Sequence, residues 1–176
     1  MSAAAVEATL GLGGNLGDVT DAFAGALKRL SQADGVKLLR LSSVYRTPPW
    51  GVTDQPDFLN MAALVSTRLT PRALLELCLT LERDAGRERI QRWGPRTLDI
   101  DVLTYGDITM AEPDLTIPHP RIAERAFVLI PLAEVAPGLK VSRETIAHLA
   151  NNIDCTGVKR DEIATDRLVK SMQSET

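Results

Sequence analysis

Asp99 and Asp101 stand two positions apart in the run Thr97-Leu98-Asp99-Ile100-Asp101-Val102-Leu103-Thr104-Tyr105, whose alternation is that of a half-buried strand. A strand turns residues i and i+2 to the same face, roughly 6.5 to 7 Å apart by its rise, so the two carboxylates can share a metal cluster. Mg²⁺ keeps waters and takes further ligands from substrate phosphates, so a pair of aspartates is sufficient protein ligation for one or two such ions. Taken alone, Asp-x-Asp describes equally well the solvated face of an amphipathic strand. The segment before it changes the odds: Arg87-Glu88-Arg89-Ile90-Gln91-Arg92-Trp93-Gly94-Pro95-Arg96 carries four arginines against one glutamate. Guanidinium groups bind phosphate oxygens through planar, charge-assisted pairs, so a cationic loop feeding a carboxylate pair has the two halves of a Mg-polyphosphate site. A merely solvated basic loop does not require Trp93 and Gly94-Pro95, which supply an apolar lid element.

Other candidates surround this pair. His119, held between Pro118 and Pro120 and followed by Arg121 and Arg125, is either a further phosphate contact or a turn stabiliser. Phe58 and Phe127 read first as core aromatics. Asn60 shares a strand face with Phe58, where an amide beside a flat ring can read the edge of a heterocycle or make a structural hydrogen bond. The glycines of Gly11-Leu12-Gly13-Gly14-Asn15-Leu16-Gly17 lack the Gly-x-Gly-x-x-Gly spacing, and no Gly-x-x-x-x-Gly-Lys-Ser/Thr motif occurs. They are expected to form a tight strand-to-helix turn with close helix packing.

The elements that must position these groups follow from periodicity. Residues 6–10 form a first strand, and Asp18 caps a helix with a stripe of Val19, Phe23, Leu27 and Leu30 that ends before Ala33-Asp34-Gly35. Residues 36–45 form a second strand and residues 58–67 a third, separated by a structured loop with Pro48, Pro49, Gly51 and Pro56. Thr70-Pro71 opens a helix with Leu74, Leu77, Cys78 and Leu81 inside, stopping near Gly86. After the strand at 97–105, a short return at 108–110, a proline-bounded loop at 113–120, a helix at 125–136 despite Pro131, and a helix pattern starting at Ser142 are expected, with a polar, partly ordered tail beyond Asn151. The order β-α-β-β-α-β across residues 6–105 predicts an α+β sandwich: a ferredoxin-like split βαβ core with a mainly antiparallel sheet plus added helices and loops. With 176 residues, 44% of them hydrophobic, one domain over 1–176 is expected, residues 142–176 being a C-terminal extension.

A net charge of −3 and a pI near 5.4 give no whole-chain signature of nucleic-acid binding. Two distant cysteines form no disulfide framework or zinc spacing, the start lacks a signal peptide's basic region, and the longest apolar run is too short to span a bilayer. A cytoplasmic protein is expected.

Ser43-Val44-Tyr45-Arg46-Thr47-Pro48-Pro49, Asp54-Gln55-Pro56-Asp57-Phe58-Leu59-Asn60 and Arg92-Trp93-Gly94-Pro95-Arg96-Thr97-Leu98-Asp99-Ile100-Asp101 resemble the 6-hydroxymethyl-7,8-dihydropterin pyrophosphokinase family of folate synthesis. Further agreement at residues 10–17, at Ile117-Pro118-His119-Pro120-Arg121 and at Arg125-Ala126-Phe127 extends the resemblance in order to about Pro137. It implies transfer of an intact pyrophosphoryl group from ATP, with Mg²⁺, to the pterin hydroxymethyl oxygen, releasing AMP. Asp99 and Asp101 would carry two metals. Glu82, Arg87, Arg89, Trp93, Arg96, His119 and Arg125 correspond to nucleotide, phosphate or lid residues, with Arg87 and Arg96 taken as catalytic together with the two aspartates. Thr47, Pro49, Phe58, Asn60 and Phe127 match the pterin pocket, the two phenylalanines sandwiching the ring. ATP and the pterin would be the partners of a monomer, with neither nucleic acid nor membrane involved. The rivals are a two-metal nuclease or nucleotidyltransferase, and an RNA-binding module, whose Lys/Arg-Gly-Phe/Tyr signature is absent.

Overall fold

A computed structural model describes residues 3–49, 51–86 and 96–174. The first strand, β1 (Val6–Gly14), leads through a turn at Gly17 into α1 (Val19–Gln32), whose cap Asp18 accepts a hydrogen bond from the Asp21 N–H at 3.0 Å. Then come β2 (Val36–Leu41), β3 (Tyr45–Thr47) and β4 (Phe58–Thr67). The next helix, α2 (Pro71–Asp84), begins with Thr70 accepting from the Ala73 N–H and proline at its first turn, as the sequence predicts. After β5 (Asp99–Tyr105), a hairpin of β6 (Met110–Glu112) and β7 (Leu115–Ile117) occupies the segment expected to be a short return and a loop.

A 3-10 turn (Ile122–Glu124) precedes α3 (Ala126–Val135), which tolerates Pro131. The helix expected from Ser142 starts later. Ser142 and Arg143, both at positive φ, instead turn a hairpin of β8 (Lys140–Val141) and β9 (Glu144–Thr145), and α4 (Ile146–Asn152) follows. The tail, expected to be partly ordered, contributes two elements: β10 (Lys159–Arg160) pairs with β3, and α5 (Glu162–Gln173) packs on α1.

The main sheet runs β10-β3-β4-β1-β5, with β2 also on β4, and every pairing is antiparallel. Taking β2 and β3 as one interrupted strand, the order is that of the ferredoxin-like core predicted from the β-α-β-β-α-β sequence. The two sheet faces carry separate cores. On one, Leu10 and Leu12, Met61 and Val65, and Ile100 and Val102 pack with Phe23, Leu27, Leu74 and Leu168 from α1, α2 and α5. On the other, Ala62, Leu64 and Leu103 pack under Leu129, Leu132, Val135 and Ile146 from α3 and α4. This second core stops short of the sheet's end. Among the described residues no helix is long and apolar enough to cross a membrane.

Candidate active site

Strand register builds the floor where the second core ends. Gly13 lies opposite Asn60 on one side and Asp99 on the other, and Gly11 lies between Ala62 and Asp101 in the same way. Alternation sends all six to one face. The central strand therefore contributes no side chain, and the flanking strands raise an amide at one edge and two carboxylates at the other, about 10 Å apart across two strand spacings. This corrects the expected role of the glycines: Gly11, Gly13 and Gly14 lie within β1, and only Gly17 turns the chain. A Cβ at Gly13 would stand 2.9 Å from Asn60 Oδ1, and one at Gly14 2.6 Å from the Thr97 carbonyl oxygen, so the glycines serve close approach.

Over this floor lies a cavity of about 410 Å³. Of the residues singled out in the sequence, Thr47, Phe58, Asn60, Arg96, Asp99, Asp101, Arg125 and Phe127 line it. Asn60 Nδ2 donates to Thr47 Oγ1 at 3.0 Å, fixing the amide so that its oxygen faces Gly13. The Arg96 guanidinium donates to Asp99 Oδ2 at 2.8 Å and lies 5.9 Å from the Phe58 ring centroid. Arg125 sits 5.6 Å from the centroid of Phe127. Burial lowers the Arg125 pKa and neighbouring Arg121 adds to this, while Asp101 and Asp99 oppose it. One end of the cavity is thus aromatic and amide-bearing, the other ionic.

Six sequence candidates are placed differently or lie outside the described residues. Pro49 does not line the cavity, whereas Pro48 does. His119 is half-buried beside it, with Nδ1 accepting the Arg121 N–H at 3.2 Å, an arrangement that leaves the proton of a neutral ring on Nε2. Its pKa is lowered by burial and by Arg125, against Asp99. Glu82 is buried below the sheet edge, where Oε1 accepts the Ile100 N–H at 2.8 Å and so anchors the strand between the two aspartates. Arg87, Arg89 and Trp93 lie outside the described residues.

Sequence reasoning missed other parts of the site. Glu124 and the tail residues Thr156, Gly157 and Val158 line the cavity, and Arg121, noted only beside His119, does too. Asn15 ties its borders together. Its side-chain amide donates to Gln55 Oε1 and the Pro56 carbonyl, both at 2.9 Å, and its Oδ1 accepts the Arg96 N–H at 3.0 Å. Two hard carboxylates beside a side-chain-free floor fit Mg²⁺, and no group of three or more His, Cys, Asp or Glu side chains suited to a metal occurs among the described residues.

A family model described as 7,8-dihydro-6-hydroxymethylpterin-pyrophosphokinase matches residues 9–137. A Methylorubrum extorquens protein named 2-amino-4-hydroxy-6-hydroxymethyldihydropteridine pyrophosphokinase is 48% identical over 156 residues, spanning 89% of this chain and 99% of that protein. The Arabidopsis thaliana folate synthesis bifunctional protein, mitochondrial, is 44% identical over 81% of this chain and 25% of its own length. Among solved structures, Plasmodium falciparum HPPK-DHPS with pteroate superposes with a TM-score of 0.69 at 16% identity, over 89% of this chain and 48% of that one, a likeness of fold. With residues 9–137 matched and a relative aligned almost end to end, the chain belongs to the 7,8-dihydro-6-hydroxymethylpterin-pyrophosphokinase family.

Proposed function

We propose that this cavity is where the chain performs its family's reaction, transfer of a pyrophosphoryl group from ATP to the hydroxymethyl oxygen of 6-hydroxymethyl-7,8-dihydropterin, with release of AMP. The observation that carries the reading is the joining of two unlike ends in one cavity: Phe58, Phe127 and Asn60 at one, and Asp99, Asp101, Arg96 and Arg125 at the other. A flat, polar-edged ring suits the first end. Phe58 and Phe127 supply faces for stacking, and the Asn60 oxygen accepts a ring N–H in the plane between them. Thr47 keeps that amide from rotating.

The hydroxymethyl oxygen attacks the β-phosphorus, the bond from that phosphorus to the α,β-bridging oxygen breaks, the bridging oxygen leaves on AMP, and the hydroxyl proton passes to solvent. Arg96 and Arg125 neutralise the transferring oxygens, and Asp99 and Asp101 are the residues that would hold two Mg²⁺ ions. Bound there, Mg²⁺ supplies charge neutralisation and orientation of the polyphosphate. A ring stacked on Phe58 takes the face over which Arg96 lies, which turns that guanidinium toward phosphate. Rate enhancement then rests on positioning and electrostatics, with no strong general base among the cavity residues. Arg87, Arg89, Trp93, Glu82, His119 and Pro49 complete the proposed set by their match to the family pattern.

The chain is read as one catalytic domain over 1–176, a cytoplasmic monomer acting on small molecules without nucleic acid or membrane. Its charge of −3 supports the exclusion of nucleic acid, and its free cysteines support a reducing compartment. The test incubates purified protein with ATP, MgCl₂ and the pterin, and resolves the nucleotides. Wild type should form AMP only with pterin present, and Asp99→Asn and Asp101→Asn should each lower turnover about 10²- to 10³-fold while remaining folded. ADP as product, or full turnover by either folded variant, would overturn the assignment.

A further inference from the structure

The tail beyond Val141, outside the resemblance and outside the residues 9–137 that the family model matches, forms part of the cavity wall and holds its opposite side in place. Thr156, Gly157 and Val158 line the cavity. Gly157, at φ +86°, comes so near Pro48 that a Cβ there would meet the proline ring at 3.3 Å. Two residues on, Lys159 and Arg160 pair with Arg46 and Tyr45 and flank the short strand β3 on the side away from β4. That strand ends at Thr47, the residue that orients the Asn60 amide.

The start of α5 then grips the backbone just before β3. The Val44 N–H donates to Thr165 Oγ1 at 3.0 Å, and the Val44 carbonyl accepts the Asp161 N–H at 2.8 Å. Val44 is fully buried, so both of its main-chain groups depend on α5 for their partners. Asp161 makes a third tie: Oδ1 caps the helix at the Ala164 N–H, and Oδ2 accepts from Arg46 Nε and Nη2 at 3.1 and 2.7 Å. Thr165 Oγ1 in turn donates to the Asp161 carbonyl at 2.7 Å, which aims its lone pair at Val44.

We infer that Thr165 and Asp161 are positioning residues for the pterin end of the site, acting through Val44 and β3 on Thr47 and Asn60. This rests on the assignment of that end to the pterin under the proposed function. ATP phosphates meet the far side of the floor, at Asp99, Asp101 and the arginines, so the two substrates should respond unequally.

The experiment measures AMP formation with pterin varied at saturating ATP and with ATP varied at saturating pterin, together with Tm, for wild type, Thr165→Val, Thr165→Ser and Asp161→Asn. Thr165→Val leaves a buried N–H without its acceptor and should raise the pterin KM about ten-fold, with the ATP KM changed less than about two-fold. Thr165→Ser restores the oxygen and should return the pterin KM to within about two-fold of wild type. Should Thr165→Val fail to fold, Asp161→Asn, which keeps an oxygen at the cap but removes the charge that holds Arg46 and strengthens the bond from the Ala164 N–H, should still raise the pterin KM about three-fold. An unchanged pterin KM in the folded variants, or an equal rise for both substrates, overturns the inference. Absence of AMP from wild type overturns the parent reading and this one with it, whereas wild-type turnover with unaffected variants removes this one alone.

Discussion

Adding a single carbon at Gly13 or at Gly14 separates two kinds of close approach on the same strand. At Gly14 the obstacle is backbone, the Thr97 carbonyl oxygen 2.6 Å from the new Cβ, so the segment entering β5 must shift. Gly14→Ala should therefore cost about 2 kcal/mol or more of stability, read as a lower denaturant midpoint. At Gly13 the obstacle is the Asn60 amide oxygen at 2.9 Å, which can swing away on its side chain. Gly13→Ala should spare most of the stability yet raise the pterin KM several-fold, because the amide loses the orientation that Thr47 gives it. A stability loss at Gly13 equal to that at Gly14, with wild-type kinetics, would contradict this division. The aspartates and Asn60 were legible in the sequence because strand alternation alone decides which side they face. The glycines were misread because a glycine cluster before a helix cap signals a turn, and only the partner strands reveal that missing side chains make room. Asn15 was missed for a similar reason: its hydrogen bonds reach residues 55, 56 and 96, distances no local pattern spans.

At the scale of elements, the hairpin between β8 and β9 is built on an unfavourable pair. Ser142 at φ +52° and Arg143 at φ +75° occupy the two central positions of a two-residue turn, where side chains other than Asn, Asp or Gly are strained. Ser142→Asn with Arg143→Gly should stabilise the protein by about 1 kcal/mol and raise Tm by about 2–4 °C without altering turnover. The same strain explains the misplaced helix start, since Ser-Arg carries no hairpin signal and Ser is a good helix cap. By contrast α1, α2 and β4 were legible almost to the residue, because Asp18, Thr70-Pro71 and the apolar run of 58–67 combine cap and periodicity. The tail was not. Its strand is two charged residues long, and the buried stripe of α5 is Ala164, Thr165 and Leu168, too small and polar to stand out. The Asp161 cap also gives α5 a pH signature. The Ala164 N–H, followed by Arg46, holds the Asp161 carboxyl below its ordinary 3.8 despite partial burial. A lowered carboxyl pKa contributes stability that is present above 3.8 and lost as pH falls through the folded value. The Tm gap between wild type and Asp161→Asn should be full near neutrality and should shrink below 3.8; a gap that stays constant on acidification would contradict the account.

Across the whole molecule, one sheet serves two purposes because its faces are closed to different extents. The face under α1, α2 and α5 is packed along its length, while the other is covered by α3 and α4 only as far as Ala62 and Leu103, leaving the remaining rows for the cavity. Substrate binding should thus rest on a framework whose rigidity comes from the opposite core, and the two cysteines measure that arrangement. Cys155 is exposed beside the cavity wall, whereas Cys78 is fully buried in the closed core, its thiol pushed up to about 12 chiefly by burial and further by Glu82 and Asp101. A thiol reagent at neutral pH should modify one cysteine promptly in the native protein and the second only in denaturant. The slow reaction of Cys78 then reports opening of the core beneath Asp99 and Asp101. If substrate binding and that core form one cooperative unit, a bound, non-reacting ATP analogue with pterin, each near 100 times its Kd, should slow Cys78 modification about 10⁴-fold, a factor of about 100 for each ligand that binds the folded state alone. Slowing confined to Cys155 would show that the cavity closes over its ligands without drawing on the stability of the helical face, and would place the mobile part of the molecule in the borders of the site.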